Sequence, residues 1–270
     1  MAHADTESDR PLAVVTGASS GIGLELAREF AEHGYDLLIT AENGEIAQAA
    51  QSLRELGGEV ESVQVDLAKY YGVETLYKRI KALHRPVHAI AINAGVGVGG
   101  EFVRETDLQD ELHLISLNVT SSVHLAKLVV KDMVEQGHGR VLFTSSIAAL
   151  TPAPLEAVYG ASKAFLLSFS QALREEVRDS GVIVTALLPG PTETNFFHRA
   201  GMDNTRVGQM VKDSASMVAR QGFQALMSGV AKAIAGSLGT QVEGFVSRII
   251  PDILNARSHR RLAEPTAPNG

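Results

Sequence analysis

"VVTGASSGIGLELA" (residues 14–27) carries two incompatible meanings. Its GASSG segment, Gly17 to Gly21, matches the G-x-S-x-G elbow that presents a nucleophilic serine, here Ser19. Extended to Gly23, the same residues give G-x-x-x-G-x-G between an apolar run and a helical pattern, the setting in which backbone amides hold a dinucleotide pyrophosphate. Position favours the second meaning. A nucleophile elbow usually follows several strands, whereas Ser19 follows the first, and no spacing ties its acid and histidine partners to it among nine histidines. In the phosphate reading Gly17 permits a tight turn, Gly21 lets the backbone approach the ligand, and Gly23 lets the helix pack closely on the strand. The helix N-terminus then faces the negative charge.

Outward from this stretch, short apolar runs at 12–16, 36–40, 60–65, 88–93, 140–145 and 182–188 alternate with helical patterns near 21–33, 44–57, 71–83, 107–136 and 156–179. The runs are mostly continuous rather than alternating in polarity, as in parallel strands covered on both faces. Repeated β-α units with right-handed crossovers predict an α/β fold: a single doubly wound Rossmann-type domain with a mostly parallel sheet. In this reading residues 1–10 are a flexible tail, 11–240 the dinucleotide-binding and catalytic domain, and 241–270 a C-terminal helical extension and tail. Residues 189–209 are rich in turn formers and lack a period; a long loop at the carboxyl end of a parallel sheet predicts a lid. Residues 214–229 read as a helix, 232–236 as a last strand, and 241–261 as a terminal helix interrupted by Pro251.

Composition narrows the function. With 24 basic and 31 acidic residues the formal charge is −7, which argues against a sequence-independent grip on nucleic acid or an anionic membrane. The short basic cluster Arg257 to Arg261 reads as a solvated helix face. The absence of cysteine excludes disulfides, thiolate metal sites and cysteine nucleophiles, and suits a reducing compartment. The polar start "MAHADTESDR" has no signal-peptide core, and no apolar span is long enough to cross a bilayer. A cytoplasmic protein is expected, with no membrane partner. No histidine pair has metal-ligand spacing, so no metal is expected; His113 and His124 read as surface or satisfied polar residues.

"YGASK" puts Tyr159 and Lys163 four apart on one helical face, where an ammonium beneath a phenol would lower its pKa toward working pH. Thirteen residues before the tyrosine stands Ser146. With TGASSGIG (16–23), INAG (92–95), Asn118 and Pro189-Gly190 in the same order and spacing, the chain resembles the short-chain dehydrogenase/reductase family from about residue 11 to 235. The resemblance implies that Tyr159 exchanges a proton with the substrate oxygen, Ser146 hydrogen-bonds that oxygen, Lys163 lowers the phenol pKa and holds the nicotinamide ribose, and Asn118 supports a water relay. Ser145 is the rival to Ser146; spacing favours the latter. Gly17, Ser19, Ser20, Gly21, Ile22 and Gly23 become the cofactor loop, with the Ser19 hydroxyl able to cap the helix or touch phosphate. Asp66 and Leu67 lie beside the adenine; Asn93, Ala94 and Gly95 lie under the adenosine half. Pro189, Gly190, Thr192 and Thr194 face the nicotinamide.

The implied activity is interconversion of an alcohol and a ketone or aldehyde by hydride transfer with NAD or NADP. A catalytically silent NAD(P)-binding regulator and the serine hydrolase are the alternatives. After the second run stand Ala41 and Glu42: the usual NAD aspartate is absent, and a carboxylate occupies the place of an arginine that would pair with a 2′-phosphate. This favours NAD, with Lys69 and Arg54 the cations able to reverse it. Ile92 and His88 depart from the family's usual asparagine and aspartate. Phe196, Phe197, Met202, Val207 and Met210 suggest an apolar substrate wall, and Arg199 and Arg206 a nearby anionic group. A homodimer or homotetramer packed through 107–136 and 156–179 is expected, with Leu117, Val123, Leu166 and Phe169 as apolar positions.

Overall fold

The computed structural model describes residues 10–246 and 250–266. The expected tail before residue 10 and the last four residues lie outside them. In chain order the first half comprises β1 Leu12–Thr16, α1 Gly21–Glu32, β2 Asp36–Ala41, α2 Glu45–Arg54, β3 Val60–Gln64, α3 Tyr70–Ala82 and β4 Val87–Ile92. The second half holds α4 Leu108–Ile115, a π-helical turn Ser116–Thr120, α5 Ser121–Gln136, β5 Gly139–Thr144, a 3-10 turn Ile147–Leu150, α6 Ala157–Glu176 and β6 Val182–Pro189. Then follow β7 Thr192–Glu193, α7 Phe196–Arg199, α8 Arg206–Gln209, β8 Asp213–Ser214, α9 Ala215–Met227, β9 Lys232–Ala235, α10 Leu238–Val246 and α11 Asp252–Ala263.

Among the described residues seven strands form one sheet in the order β3-β2-β1-β4-β5-β6-β9, and every pairing is parallel. Alternate side chains of each strand enter opposite cores. Ala13 and Val15 pack with Phe30, Leu53 and Phe223 under α1, α2 and α9. Leu12 and Val14 pack with Val129, Met133 and Leu166 under α5 and α6. Both faces are thus apolar, which is why the strands read as unbroken hydrophobic runs. The chain reverses direction of winding between β1 and β4, and the crevice at their carboxyl ends is where open α/β sheets take ligands. No helix among the described residues is long and apolar enough to cross a membrane.

Three expectations need correction. The 107–136 pattern is two helices joined by a π turn, because Asn118 is drawn inward by hydrogen bonds described below. The 189–209 segment is not an open loop: Thr192 and Glu193 pair with Asp213 and Ser214, and two short helices lie between. The terminal helix starts earlier, at Leu238, and is divided into α10 and α11 around Pro251. Of the positions read as subunit contacts, Leu117 and Leu166 are buried in the chain's own core, with Phe169 packed against it.

Candidate active site

β1 delivers the chain to the glycine turn, where Thr16 acts as a staple. Its Oγ1 accepts from the backbone N–H of Asn93 (2.9 Å) and Ala94 (3.0 Å), and Asn93 Nδ2 donates back to the Thr16 carbonyl (3.1 Å). These bonds hold the β1 turn against the end of β4. Gly17 has φ +67°, and a Cβ there would stand 2.8 Å from Ala94 Cα. A Cβ on Gly23 would meet the Gly17 carbonyl oxygen at 2.1 Å, so no side chain fits where the turn enters α1. The N-cap of α1 is Ser20 rather than Ser19, and it makes no side-chain cap bond. The first-turn amides therefore keep their hydrogen-bonding capacity for a ligand. Ser19, Ser20, Gly21 and Ile22 all line the cleft that opens here.

The cleft runs past Ala41, Glu42 and Asn43 after β2, and past Asp66 and Leu67 after β3. Glu42 is exposed. Lys69 Nζ is 3.4 Å from Asp66, and Arg54 donates to the Val60 carbonyl from Nε (3.1 Å) and Nη2 (2.7 Å). Both cations thus already have partners. In the other direction the cleft reaches Asn93, Ala94, Gly95, Pro189, Gly190, Thr192 and Thr194. Thr192 Oγ1 donates to the Gly190 carbonyl (2.8 Å), and Thr194 Oγ1 accepts from Phe196 N–H (3.2 Å), which fixes the start of α7.

At this far end Ser146, Tyr159 and Lys163 come together. Ser146 follows β5 and begins the 3-10 turn, its Oγ accepting from Ala148 N–H (3.1 Å). Ser145 is spent elsewhere: its hydroxyl donates to the Lys163 carbonyl (2.7 Å). Tyr159 and Lys163 are buried one turn apart on α6, with Lys163 Nζ donating to the Thr144 carbonyl (3.0 Å) and standing 5.7 Å from the Tyr159 ring centroid. Asn118, fully buried on the π turn, clamps Val96: Oδ1 accepts from its N–H and Nδ2 donates to its carbonyl, both at 2.9 Å. The second amide hydrogen goes to Ser162 Oγ (3.0 Å). Both donors of Asn118 are thereby used, and one lone pair of Oδ1 remains for the water relay that the resemblance implies.

Electrostatics at this end differ from the sequence reading. Burial pushes Tyr159 well above the usual phenol value, the Glu156 carboxylate adds to this, and only the hydrogen bond from Ser146 opposes it. Burial also lowers Lys163 to about 8. In the free chain the phenol is governed by its burial, and Lys163 is not among the groups that lower it.

The outer wall is built from two segments. Phe196, Phe197 and Arg199 of α7 and Val207 of α8 line one side, and His259, Leu262 and Ala263 of α11 line the other. The Phe196 ring lies 5.2 Å from that of Tyr159. Met202 is buried behind the wall, Met210 is exposed, and Arg206 does not reach the cleft. α11 is tied to the segment it covers by Thr266 N–H to the Asn204 carbonyl (2.7 Å) and by a bridge between Thr205 and Pro265.

The sequence model of the short chain dehydrogenases matches residues 11–205. The chain belongs to this family. Sulfoacetaldehyde reductase 2 of Chromohalobacter salexigens is 30% identical over 77% of this chain and 83% of its own length. Mouse 17-beta-hydroxysteroid dehydrogenase type 3 is 34% identical over 76% of this chain and 68% of its own. Among solved structures, a short-chain dehydrogenase from Sphingobium yanoikuyae in complex with NADPH superposes with a TM-score of 0.79, at 28% identity over 96% of this chain and 98% of that one. A Burkholderia phymatum relative in complex with NAD gives 0.80, at 25% identity over 97% and 98%. This short-chain dehydrogenase is accordingly an oxidoreductase that interconverts alcohols and carbonyls with a nicotinamide dinucleotide.

The residues present fit that cofactor. The cradle between Gly17 and Gly23 admits no Cβ, and two buried polar atoms of the cleft, Asn43 Oδ1 and Thr144 Oγ1, have no hydrogen-bond partner among the described residues. Sequence reasoning named the cofactor loop but missed Asn43, Thr144, Glu156 and His259. Asn43 and Thr144 adjoin residues already singled out. Glu156 and His259 are 103 positions apart and belong to no motif.

Proposed function

We propose that Tyr159 is the proton-exchanging group of this dehydrogenase and that Ser146, Lys163 and Asn118 serve it. One observation carries the reading: phenol, hydroxyl and ammonium converge at one end of a cleft whose other end is the glycine turn. Bound along that cleft, the nicotinamide supplies or accepts the hydride. Reduction of a carbonyl leaves an alkoxide, and Tyr159 Oη–H delivers the proton to it. Burial keeps the phenol protonated, the form that donates. Ser146 Oγ takes its hydrogen bond from Ala148 N–H and so has its own hydrogen for the substrate oxygen or for Tyr159. When the proton has left, Lys163 stands near enough to balance the phenolate. Asn118 acts by position, fixing the Val96 backbone against α6 through Ser162.

Tyr159→Phe is expected to lower kcat by ~10²–10⁴-fold while cofactor affinity, read by fluorescence titration, stays nearly unchanged. A Phe variant with wild-type kcat overturns the assignment.

The preference for NAD over NADP rests on Glu42, which lines the cleft after β2, while Lys69 and Arg54 are engaged by Asp66 and Val60. A carboxylate accepts from ribose hydroxyls and repels a 2′-phosphate. NADH is expected to be favoured by about 5- to 30-fold in kcat/KM, and Glu42→Arg to reverse the order by offering a planar donor fork. Wild-type preference for NADPH would end this reading. A cytoplasmic location suits a cysteine-free enzyme that draws on nicotinamide pools.

A further inference from the structure

α11 folds back over the substrate end of the cleft and brings His259 to Glu156. Glu156 is the N-cap of α6, three residues before Tyr159, and both side chains line the cleft. Its Oε2 lies 3.1 Å from His259 Nε2, with the carboxylate side chain 8% exposed and the imidazole 19%. Both residues line the same cleft as Ser146 and Tyr159.

A carboxylate this deep is costly unless its oxygens are paired. His259 satisfies one. Among the described residues Oε1 has no hydrogen-bond partner, and it is not one of their fully buried unpaired atoms, so it is open to the cleft that Glu156 lines. As a latch for α11 alone, an apolar pair would serve as well, without a charge to desolvate. The N-cap role does not explain the carboxylate either, because Glu156 makes no side-chain cap bond. Besides raising the Tyr159 phenol, a carboxylate lining the cleft can accept a hydrogen bond from what enters it. Apart from Arg199 the surrounding wall is largely apolar, from Ile147, Phe196, Leu262 and Ala263, and a neutral hydroxyl is the donor that is desolvated there at least cost.

We infer that Glu156, oriented by His259, is a specificity-determining residue that binds a substrate hydroxyl beside the reacting carbon, so that the enzyme selects hydroxyketones and their vicinal diols. The inference rests on Tyr159 as proton donor, since it is the placing of both side chains in the same cleft that sets the substrate hydroxyl near the reacting carbonyl. A substrate carboxylate at that position would meet Glu156 with like charge and is disfavoured. His259 is a positioning residue in this scheme: it holds the carboxylate and does not touch the reacting atoms.

The test compares acetoin with 2-butanone, which differ by one hydroxyl, in wild type, Glu156→Gln and Glu156→Leu. A hydrogen bond to an ionised acceptor is worth about tenfold to a hundredfold. The kcat/KM ratio of acetoin to 2-butanone is expected to be at least about tenfold in wild type, near threefold in the glutamine variant and near one in the leucine variant. A second arm needs no turnover: calorimetric binding of 2,3-butanediol and 2-butanol to each enzyme saturated with reduced cofactor, a dead-end complex, is expected to follow the same order. The isosteric glutamine variant and melting curves guard against misfolding in the leucine variant. A wild-type ratio near one, or ratios unchanged by both substitutions, overturns the role of Glu156. Turnover of either ketone that survives Tyr159→Phe overturns the proton-donor reading instead, so the two fail separately.

Discussion

Lys163 shows most directly how a buried cation opposes stability. It is buried, donates to the Thr144 carbonyl, and titrates near 8 rather than 10.5. Between these values the unfolded chain binds the proton and the fold has released it, so the stability contribution of Lys163 rises with pH across that window and is at its lowest below about 8. The difference corresponds to roughly 3 kcal/mol at 1.36 kcal/mol per tenfold. In the cofactor-free protein, Lys163→Met is expected to gain stability over wild type at pH 7 relative to pH 10.5, by up to roughly this amount, in urea unfolding at the two pH values. A gap that widens as pH rises contradicts the sign. The Tyr-x-x-x-Lys pair was legible because i and i+4 share a helix face. The direction of the tyrosine shift was not, because it depends on how far α6 sinks into the core and on Glu156.

At the scale of elements, the π turn between α4 and α5 is the least legible feature. Apolar period alone reads 107–136 as one helix, and most of its residues are helical. The turn exists where Asn118 must reach the Val96 N–H and carbonyl and the Ser162 hydroxyl, partners that lie on the β4–α4 connection and on α6. π turns are often found at such functional positions. Asn118→Leu would strand the Val96 N–H and carbonyl and remove the donor to Ser162 Oγ, which keeps its own bond to the Tyr159 carbonyl. At about 1–3 kcal/mol for each buried unsatisfied group, a loss of roughly 2–5 kcal/mol is expected, read from the urea midpoint. A loss under about 1 kcal/mol would mean that water replaces the amide. The 189–209 segment was read as a lid from its composition. Its order comes from pairing with residues far along the chain, including β8 and the end of α11.

At the scale of the molecule, the surface of α4 and α6 carries Leu108, Leu112, Ile115 and Phe165, all exposed. The first three fall at i, i+4 and i+7, a single stripe on α4. We propose that a second copy of the chain covers this stripe. A homodimer or homotetramer is expected by light scattering at micromolar concentration, and Leu112→Glu together with Phe165→Glu is expected to shift it toward monomer. Wild type that scatters as a monomer removes the proposal. These helices lie within the segments read from sequence as interfacial; Leu117 and Leu166 in them face the core, and which side of an all-round apolar helix is covered depends on the neighbour it meets.

What the sequence determined by itself was the succession of the sheet strands and the helices between them, and the family to which the chain belongs. Those signals are local: doubly covered strands leave continuous apolar runs, a glycine turn leaves its spacing, and a helical pair leaves an i, i+4 pattern. The sheet order, the π turn at Asn118 and the closure of the substrate end by α11 were decided only in three dimensions. Each depends on contacts between segments far apart in the chain, as between Glu156 and His259. Such contacts leave no period or spacing in either partner, because each segment alone is compatible with many neighbours and the burial that selects one belongs to the whole fold.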